Sequence, residues 1–140
     1  LALAKELGLP VQIHDRDAHA EVLDVLERDG APDVTVFHCF SGDAAMARLC
    51  AHRGYYLSFA GTVTFRNAHE LRAAVAVTPL SRVLVETDAP FLTPHPHRGA
   101  PNAPYLVPHT VRAVARVLEV GVEAVCEAVS ATSERLYGPW

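Results

Sequence analysis

Residues 82–90 read RVLVETDAP, an apolar run that ends in two carboxylates, Glu86 and Asp88, just before a proline. Two earlier stretches share this plan, because His14 ends the run PVQIH and His38 ends the run VTVFH. Strands that end in ligand-type side chains are typical of the C-terminal rim of a parallel α/β barrel, where such folds hold their chemistry. We therefore predict an α/β fold of the TIM-barrel type.

Apolar runs alternate with segments of helical periodicity along the rest of the chain. Strands are predicted at 10–14, 34–38, 55–60 and 82–86. Helices are predicted at 1–8, 18–29, 44–53, 68–77, 106–118 and 122–137. Asp17, Asp43 and Asn67 (with Glu70) are the expected N-terminal caps of the second, third and fourth helices. This alternation indicates βαβ units and a parallel sheet.

The length of the chain limits how much of a barrel it can form. An eight-stranded barrel takes about 250 residues, whereas this chain has 140. Only four strand–helix units fit. We predict a single domain over residues 1–140 that corresponds to about half of a barrel.

Composition indicates an ordinary globular protein, with 50% hydrophobic and 20% charged residues. The net charge of −4 provides no general attraction for nucleic acid, so local cations or a metal would have to make such contacts. Three cysteines without a CxxC pair favour a reducing, cytoplasmic setting. No apolar run approaches the roughly 18 residues of a membrane span, so no membrane partner is expected.

A divalent-metal site is the chemistry that the strand ends favour. A lone histidine after a strand is more often structural, but His14 and His38 share one context and Asp88 follows the fourth strand. Neutral imidazole and carboxylate suit Mg or Mn, with Zn as an alternative, as one or two ions. Glu86 has two interpretations, since it could orient a ligand histidine or be a satisfied core carboxylate.

Three polar residues are candidates for binding substrate. The guanidinium of Arg16 could clamp a phosphate, or it could form a surface ion pair with Asp15 or Asp17. Arg98 and Asn102 lie in the Pro-rich segment 89–104, APFLTPHPHRGAPNAP, where they could contact a substrate backbone. Their alternative is to staple that loop through hydrogen bonds to its own backbone.

The remaining possible ligands are expected to be structural. Cys39 adjoins His38, and alternation along an extended segment predicts that it points to the opposite face and is buried. Four histidines are predicted on solvated faces of helices: His19, His52, His69 and His109. His95 and His97 lie in the Pro-rich loop.

Five segments in order carry a resemblance to a known family: LPVQIHDRDA, HCFSGD, GYYLSFAGTVTF, RVLVETDAPFLTP and PHPHRGAPNAP. Together they resemble the TatD family of metal-dependent deoxyribonucleases, from Leu1 to about Tyr137. The resemblance implies a TIM barrel with one or two metal ions. By it, His14 and His38 look like metal ligands from the fifth and sixth strands, and Asp88 looks like a ligand or general base from the eighth.

The resemblance also implies an activity and a mechanism. Family members hydrolyse DNA phosphodiesters, commonly as 3′–5′ exonucleases with Mg or Mn, and some are linked to other esters such as aminoacyl-tRNA. Asp88 would take up the proton of the attacking water and pass it to the leaving oxygen. Arg16 would stabilise charge on the phosphoryl oxygens. Glu86, as a candidate catalytic residue, would orient a ligand histidine.

The chain departs from the family pattern at its front. The His-x-His pair of the first strand and the metal-binding Glu of the fourth strand have no counterpart from Leu1 onwards. We predict that the chain is the C-terminal half of the barrel, that the N-terminal half is its partner, and that the chain alone binds metal weakly. Two alternatives stay open: a non-catalytic, self-associating half barrel, and hydrolysis of another ester or amide, such as aminoacyl-tRNA or a lactone.

Overall fold

A computed structural model describes residues 1–139 as a parallel four-stranded sheet flanked by helices. The strands are β1 (Val11–His14), β2 (Thr35–His38), β3 (Tyr56–Phe59) and β4 (Val83–Val85). The helices are α1 (Ala2–Leu7), α2 (His19–Asp29), α3 (Ala44–His52), α4 (His69–Val77), α5 (Val107–Leu118) and α6 (Val122–Tyr137). Short 3-10 segments occur at Gly61–Thr64, Leu80–Arg82 and Pro104–Leu106. The predicted α/β fold is confirmed, with every strand and helix within about two residues of its expected place.

The strands lie side by side in chain order, β1-β2-β3-β4, and every pair is parallel. The register aligns His14 with His38 and Phe59 with Val85. Because parallel strands in register end at one edge, the residues after them share that edge. Within residues 1–139, β1 and β4 form the two open edges of the sheet.

Alternation along the strands divides the apolar side chains between two faces of the sheet. Phe37, Leu57 and Val83 lie in the larger core, which the outer helices cover. A smaller cluster lies on the opposite face, where Leu136 of α6 packs on strand residues. The strand members of that cluster are Val36, Tyr56 and Leu84. Burial on both faces explains why the strands read as continuous apolar runs rather than alternating ones.

Of the three predicted helix caps, only one forms. Asp43 caps α3, since its Oδ1 accepts a hydrogen bond from the Met46 N–H at 2.8 Å. The prediction for Asp17 is wrong, because α2 has Ala18 as its N-cap and the Ala18 N–H donates to Asp15 Oδ1 instead. The capping box at Asn67 is also wrong, since α4 has Ala68 as its N-cap without a side-chain bond. Both helices begin one residue later than expected.

The Pro-rich loop between β4 and α5 is held by backbone contacts rather than by a ladder. Thr93 donates its hydroxyl proton to the Ala100 carbonyl at 2.6 Å. The buried Gly61 lies against the same loop, where an added Cβ would collide with the Leu92 carbonyl oxygen and approach Pro94 N within 3.0 Å. The absence of a side chain at Gly61 therefore lets the loop close over the end of β3.

Among the described residues, no helix is both long and apolar enough to cross a membrane.

Replacing Gly61 by Ala should destabilise the chain, because the atoms in the way belong to backbone that cannot rotate aside. We expect the free energy of unfolding to fall by about 1–3 kcal/mol, as for other overpacked sites. Urea denaturation followed by circular dichroism would measure it.

Gly121→Ala is the matched control, since a Cβ there meets only the flexible Glu123 Oε2 at 3.4 Å. Its cost should stay below about 1 kcal/mol, the usual effect at an N-cap. Equal losses in the two variants would contradict the close approach at Gly61.

Candidate metal centre

Two of the three predicted ligands, His38 and Asp88, come together with Glu86 at the carboxyl ends of β2 and β4. Glu86 Oε1 lies 2.7 Å from His38 Nδ1, and Asp88 Oδ1 lies 3.7 Å from His38 Nε2. One ligand atom from each residue falls within 4.8 Å of the others. All three side chains are half-buried, so they are shielded but still open to a small ligand.

Glu86 is the most constrained of these residues. Its Oε2 accepts the Cys39 N–H at 3.0 Å, and its own N–H donates to the Phe59 carbonyl at 3.1 Å. Its Oε1 is buried and has no hydrogen-bond partner within residues 1–139, although it lies 2.7 Å from His38 Nδ1. A buried carboxylate oxygen without a donor is costly.

This orphaned oxygen tests whether the residues fit a metal. A divalent cation beside Glu86, His38 and Asp88 would satisfy the charge that the chain leaves unpaired. The imidazole of His38 and the carboxylate of Asp88, with the Glu86 carboxylate beside them, are groups that Mn and Zn accept readily and that Mg also tolerates. The residues present therefore fit a divalent ion, and the distances do not select among these metals.

The backbone turns sharply where the strands meet this site. Asp88 has φ of 56° and Cys39 has φ of 45°, both in the left-handed region. Non-glycine residues in such conformations cost on the order of 1–3 kcal/mol and cluster at functional sites. The same feature recurs at Asp17, just past β1, with φ of 56°.

The prediction that Cys39 points to the opposite face and is buried is wrong, because the backbone turns at this residue. Cys39 is half-buried rather than buried, and it lines a cleft together with His14 and Asp88. Strand alternation no longer applies there, because the left-handed backbone redirects the side chain toward the rim. Burial, and then the negative charges of Glu86 and Asp88, raise the pKa of the Cys39 thiol to about 12.

His14 lies beside the cluster rather than within it. Its ring centroid is 5.7 Å from that of His38, as the paired register of β1 and β2 requires. His14 is exposed and is absent from the compact ligand set of His38, Glu86 and Asp88. Its role as a metal ligand therefore stays a prediction.

Arg16 lies in the same cleft of about 550 Å³ as His14 and Asp88. Its side chain is exposed, and within the described part of the chain it forms no ion pair with Asp15 or Asp17. The structural alternative for Arg16 is thus not realised. Its guanidinium is available to an anion in the cleft.

Asp15 is a residue that the sequence analysis missed. It is buried, its Oδ2 lies 2.6 Å from His19 Nδ1, and its Oδ1 accepts the Ala18 N–H at 3.2 Å. These contacts hold the turn that carries Arg16 against the start of α2. The four-residue spacing from Asp15 to His19 at a helix start was the signal that could have indicated this contact.

The two candidate substrate residues of the Pro-rich loop have other contacts. Asn102 is buried, and its Nδ2 donates to the Thr87 carbonyl at 2.7 Å and the Phe91 carbonyl at 2.6 Å. The loop-stapling alternative therefore describes Asn102. The guanidinium of Arg98 lies 3.7 Å from the centroid of the Phe65 ring, a cation–π contact at the surface. A substrate contact by Arg98 stays a prediction.

The chain is similar to known proteins over nearly its whole length. A family profile described as "TatD related DNase" matches residues 1–138. The chain is 54% identical over 136 residues to the "Uncharacterized metal-dependent hydrolase TatD" of Mycobacterium tuberculosis, covering 97% of this chain and 52% of that protein. It is 43% identical to the "Uncharacterized metal-dependent hydrolase YabD" of Bacillus subtilis, covering 98% of this chain and 54% of that protein. The chain thus spans about half the length of these curated relatives.

Solved structures share the fold of this chain. The TatD homolog YJJV from Escherichia coli superposes with a TM-score of 0.92 at 29% identity, covering 99% of this chain and 54% of that one. A TatD family hydrolase from Entamoeba histolytica superposes with a TM-score of 0.85 at 16% identity, covering 99% and 54% of the two chains, which speaks for the fold alone. The described residues therefore share the fold of about half of each of these two longer chains.

Substitution at this cluster should change metal affinity. We expect the chain to bind Mn²⁺ weakly, and Asp88→Asn to abolish the binding because the amide lacks the negative charge. Glu86→Gln should weaken it by about 10- to 100-fold, the usual effect of a residue that supports a ligand. Isothermal titration calorimetry would measure each affinity.

Asp24→Asn makes the same chemical change at an exposed position on α2 and should leave the affinity unaltered. The metal centre would be refuted if Asp88→Asn and Asp24→Asn bound Mn²⁺ equally well.

Proposed function

Because the chain belongs to the TatD-related DNase family, we propose that it is the C-terminal half of a divalent-metal-dependent hydrolase that cleaves DNA phosphodiester bonds. The observation that carries the proposal is the cluster of His38, Glu86 and Asp88, with one buried carboxylate oxygen left without a donor. The DNA substrate draws support from the family description, "TatD related DNase", and the 3′–5′ exonuclease action is part of the proposal.

The metal would be held by His38 and Asp88, with Glu86 close behind and His14 on the neighbouring strand. When bound, a divalent ion supplies Lewis acidity and makes hydroxide available near neutral pH. The other steps depend on side chains of the chain itself. Glu86 Oε1 lies 2.7 Å from His38 Nδ1, so Glu86 would orient this imidazole while its Nε2 faces Asp88 at 3.7 Å.

Asp88 is the proposed general base. Its carboxylate is half-buried, lines both rim clefts and lies at a sharp turn that fixes its direction. It would accept the proton of the attacking water and later return that proton to the leaving oxygen.

Arg16 is the proposed phosphate ligand. It shares the cleft with His14 and Asp88, and its donors form no ion pair within residues 1–139. A guanidinium can hold two phosphoryl oxygens at once and stabilise the charge that grows on them during attack on phosphorus. The positive charge of Arg16 would attract an anion to this point although the net charge of the chain is negative.

The N-terminal half of the barrel is the proposed partner. A cleft of about 670 Å³ on the inner face of the sheet contains Gln12, Ser58 and Tyr137, together with Glu86 and Asp88. In a closed barrel the interior is filled by side chains from all strands, so this face needs a cover. We place the complete enzyme in the cytoplasm, in keeping with three cysteines that are all free.

The activity test compares the 140-residue chain with the complete polypeptide read upstream of Leu1. The complete barrel should degrade single-stranded DNA with Mg²⁺ or Mn²⁺ and lose activity with EDTA, whereas the chain alone should hydrolyse little. Asp88→Asn should lower kcat by about 10²–10⁴, the range for a general base. Arg16→Ala should lower kcat/KM by about 10²–10³, as for loss of one transition-state donor.

Arg48→Ala is the control for Arg16→Ala, because Arg48 is exposed on α3 and makes no side-chain hydrogen bond to the described residues. It should keep full activity. Turnover of aminoacyl-tRNA or a lactone, with none of DNA, would replace the nuclease proposal by another ester or amide hydrolase. Full DNA cleavage by the 140 residues alone would show that no second half is needed.

A further inference from the structure

A third cleft, of about 410 Å³, lies on the outer wall of the fold. It runs between α4 and α5 and is closed at the top by the Gly61–Thr64 turn and the Pro-rich loop. It shares no lining residue with the two clefts that contain Asp88. Its polar lining consists of Thr64 and five basic or imidazole side chains: Arg72, His95, His109, Arg112 and Arg116.

The charge of this cleft has one sign. None of the described residues that line it is acidic, although the whole chain carries a net charge of −4. His109, Arg112 and Arg116 follow one another at three and four residues along α5, which places them on one face of that helix. Neither Arg112 nor Arg116 forms an ion pair within residues 1–139.

The histidines at the top of the cleft lie in the same positive electrostatic field. The rings of His97 and His109 lie 4.9 Å apart, centroid to centroid. Burial, and then the nearby positive charges of His97, Arg112 and His95, lower the pKa of His109. The nearby cations therefore add to burial in disfavouring the charged form of His109.

Arg72 forms a fixed wall of the cleft rather than a mobile arm. Its Nη1 donates to the carbonyls of Val63 and Phe65 at 3.2 and 2.7 Å, and its Nη2 donates to the carbonyl of Arg66 at 3.1 Å. These bonds hold a permanent positive charge at the mouth of the cleft. The donors of Arg112 and Arg116, which no side chain or backbone group of the described residues accepts, remain free for a ligand.

We propose that this cleft binds phosphate groups, as an anion site apart from the His38–Glu86–Asp88 cluster. Arginine forks match phosphate oxygens in pairs, and a cleft whose lining has no acidic residue offers them no competing carboxylate. The phosphate can belong to a nucleic-acid strand or to a free phosphate compound. The position of the cleft favours a nucleic-acid strand as the source of the phosphate. The Pro-rich loop that begins after Asp88 also forms the upper wall of the cleft through His95.

The test measures binding in EDTA, so that it does not depend on the proposed catalytic activity. Inorganic phosphate is titrated by calorimetry, and a fluorescent 12-nucleotide single strand is followed by anisotropy over a range of salt. The double variant Arg112→Ala/Arg116→Ala should weaken binding by about tenfold or more. For the strand, it should also reduce the slope of log affinity against log salt by about one for each lost contact.

The control is Arg28→Ala/Arg48→Ala, which removes the same charge from exposed positions of α2 and α3. It should change either affinity by less than twofold. Thermal melting of both variants checks folding, and the milder Arg112→Gln and Arg116→Gln exchanges provide a second measurement if the double variant unfolds.

Either ligand alone can support the site. Phosphate binding that depends on Arg112 and Arg116 identifies a free phosphate compound as sufficient, and strand binding without phosphate binding identifies a polynucleotide. The proposal is overturned if neither ligand binds the unmodified chain, or if the double variant and its control bind equally. A failure here would leave the metal-dependent nuclease proposal untouched, because that proposal depends on Asp88 and Arg16.

Discussion

The rim of this sheet depends on the hydrogen bonds of Glu86, whose carboxylate is half-buried. It accepts the backbone N–H of Cys39 after β2, while the Glu86 N–H donates to Phe59 at the end of β3. The ends of β2, β3 and β4 are therefore tied together by one residue. Burying a carboxylate is unfavourable unless its oxygens are satisfied, and one oxygen is left without a donor. The same residue thus organises the fold and creates the local need for a cation, which connects the architecture to the proposed chemistry.

Burial of apolar side chains in the core offsets the unfavourable backbone conformations at the rim. Cys39 and Asp88 both adopt left-handed backbone conformations, each at about 1–3 kcal/mol. Just behind them, Phe37, Leu57 and Val83 are almost fully buried against the outer helices. Such burial contributes roughly 1.5–3 kcal/mol for each large side chain. The sheet can therefore hold its functional residues in unfavourable geometry, because the strands that carry them are anchored on the other face.

Charge is distributed unevenly over a chain that is acidic as a whole. The net charge is −4, yet among the described residues Arg16 forms no ion pair at the rim, and Arg112 and Arg116 form none on the outer wall. Local fields, not the net charge, decide where an anion can bind at short range, since salt screens charges beyond about 8 Å at physiological ionic strength. An acidic chain can for this reason still present separate positive sites to phosphate groups.

The sequence by itself predicted the strands, the helices and a rim that carries His14, His38 and Asp88 together with Glu86, because periodicity and strand ends are local properties of the chain. The Asp43 cap is local in the same way. The tertiary structure decided that His38, Glu86 and Asp88 form the compact cluster, with His14 beside it. Only the tertiary structure decided the direction of Cys39, since that depends on a backbone angle that alternation does not describe. It also decided the hydrogen-bond partners of Asn102. It brought Arg72 of α4 and Arg112 of α5 to the same cleft, because distant parts of the sequence pack together there. Such long-range contacts arise from the packing of whole elements, and no short pattern encodes them.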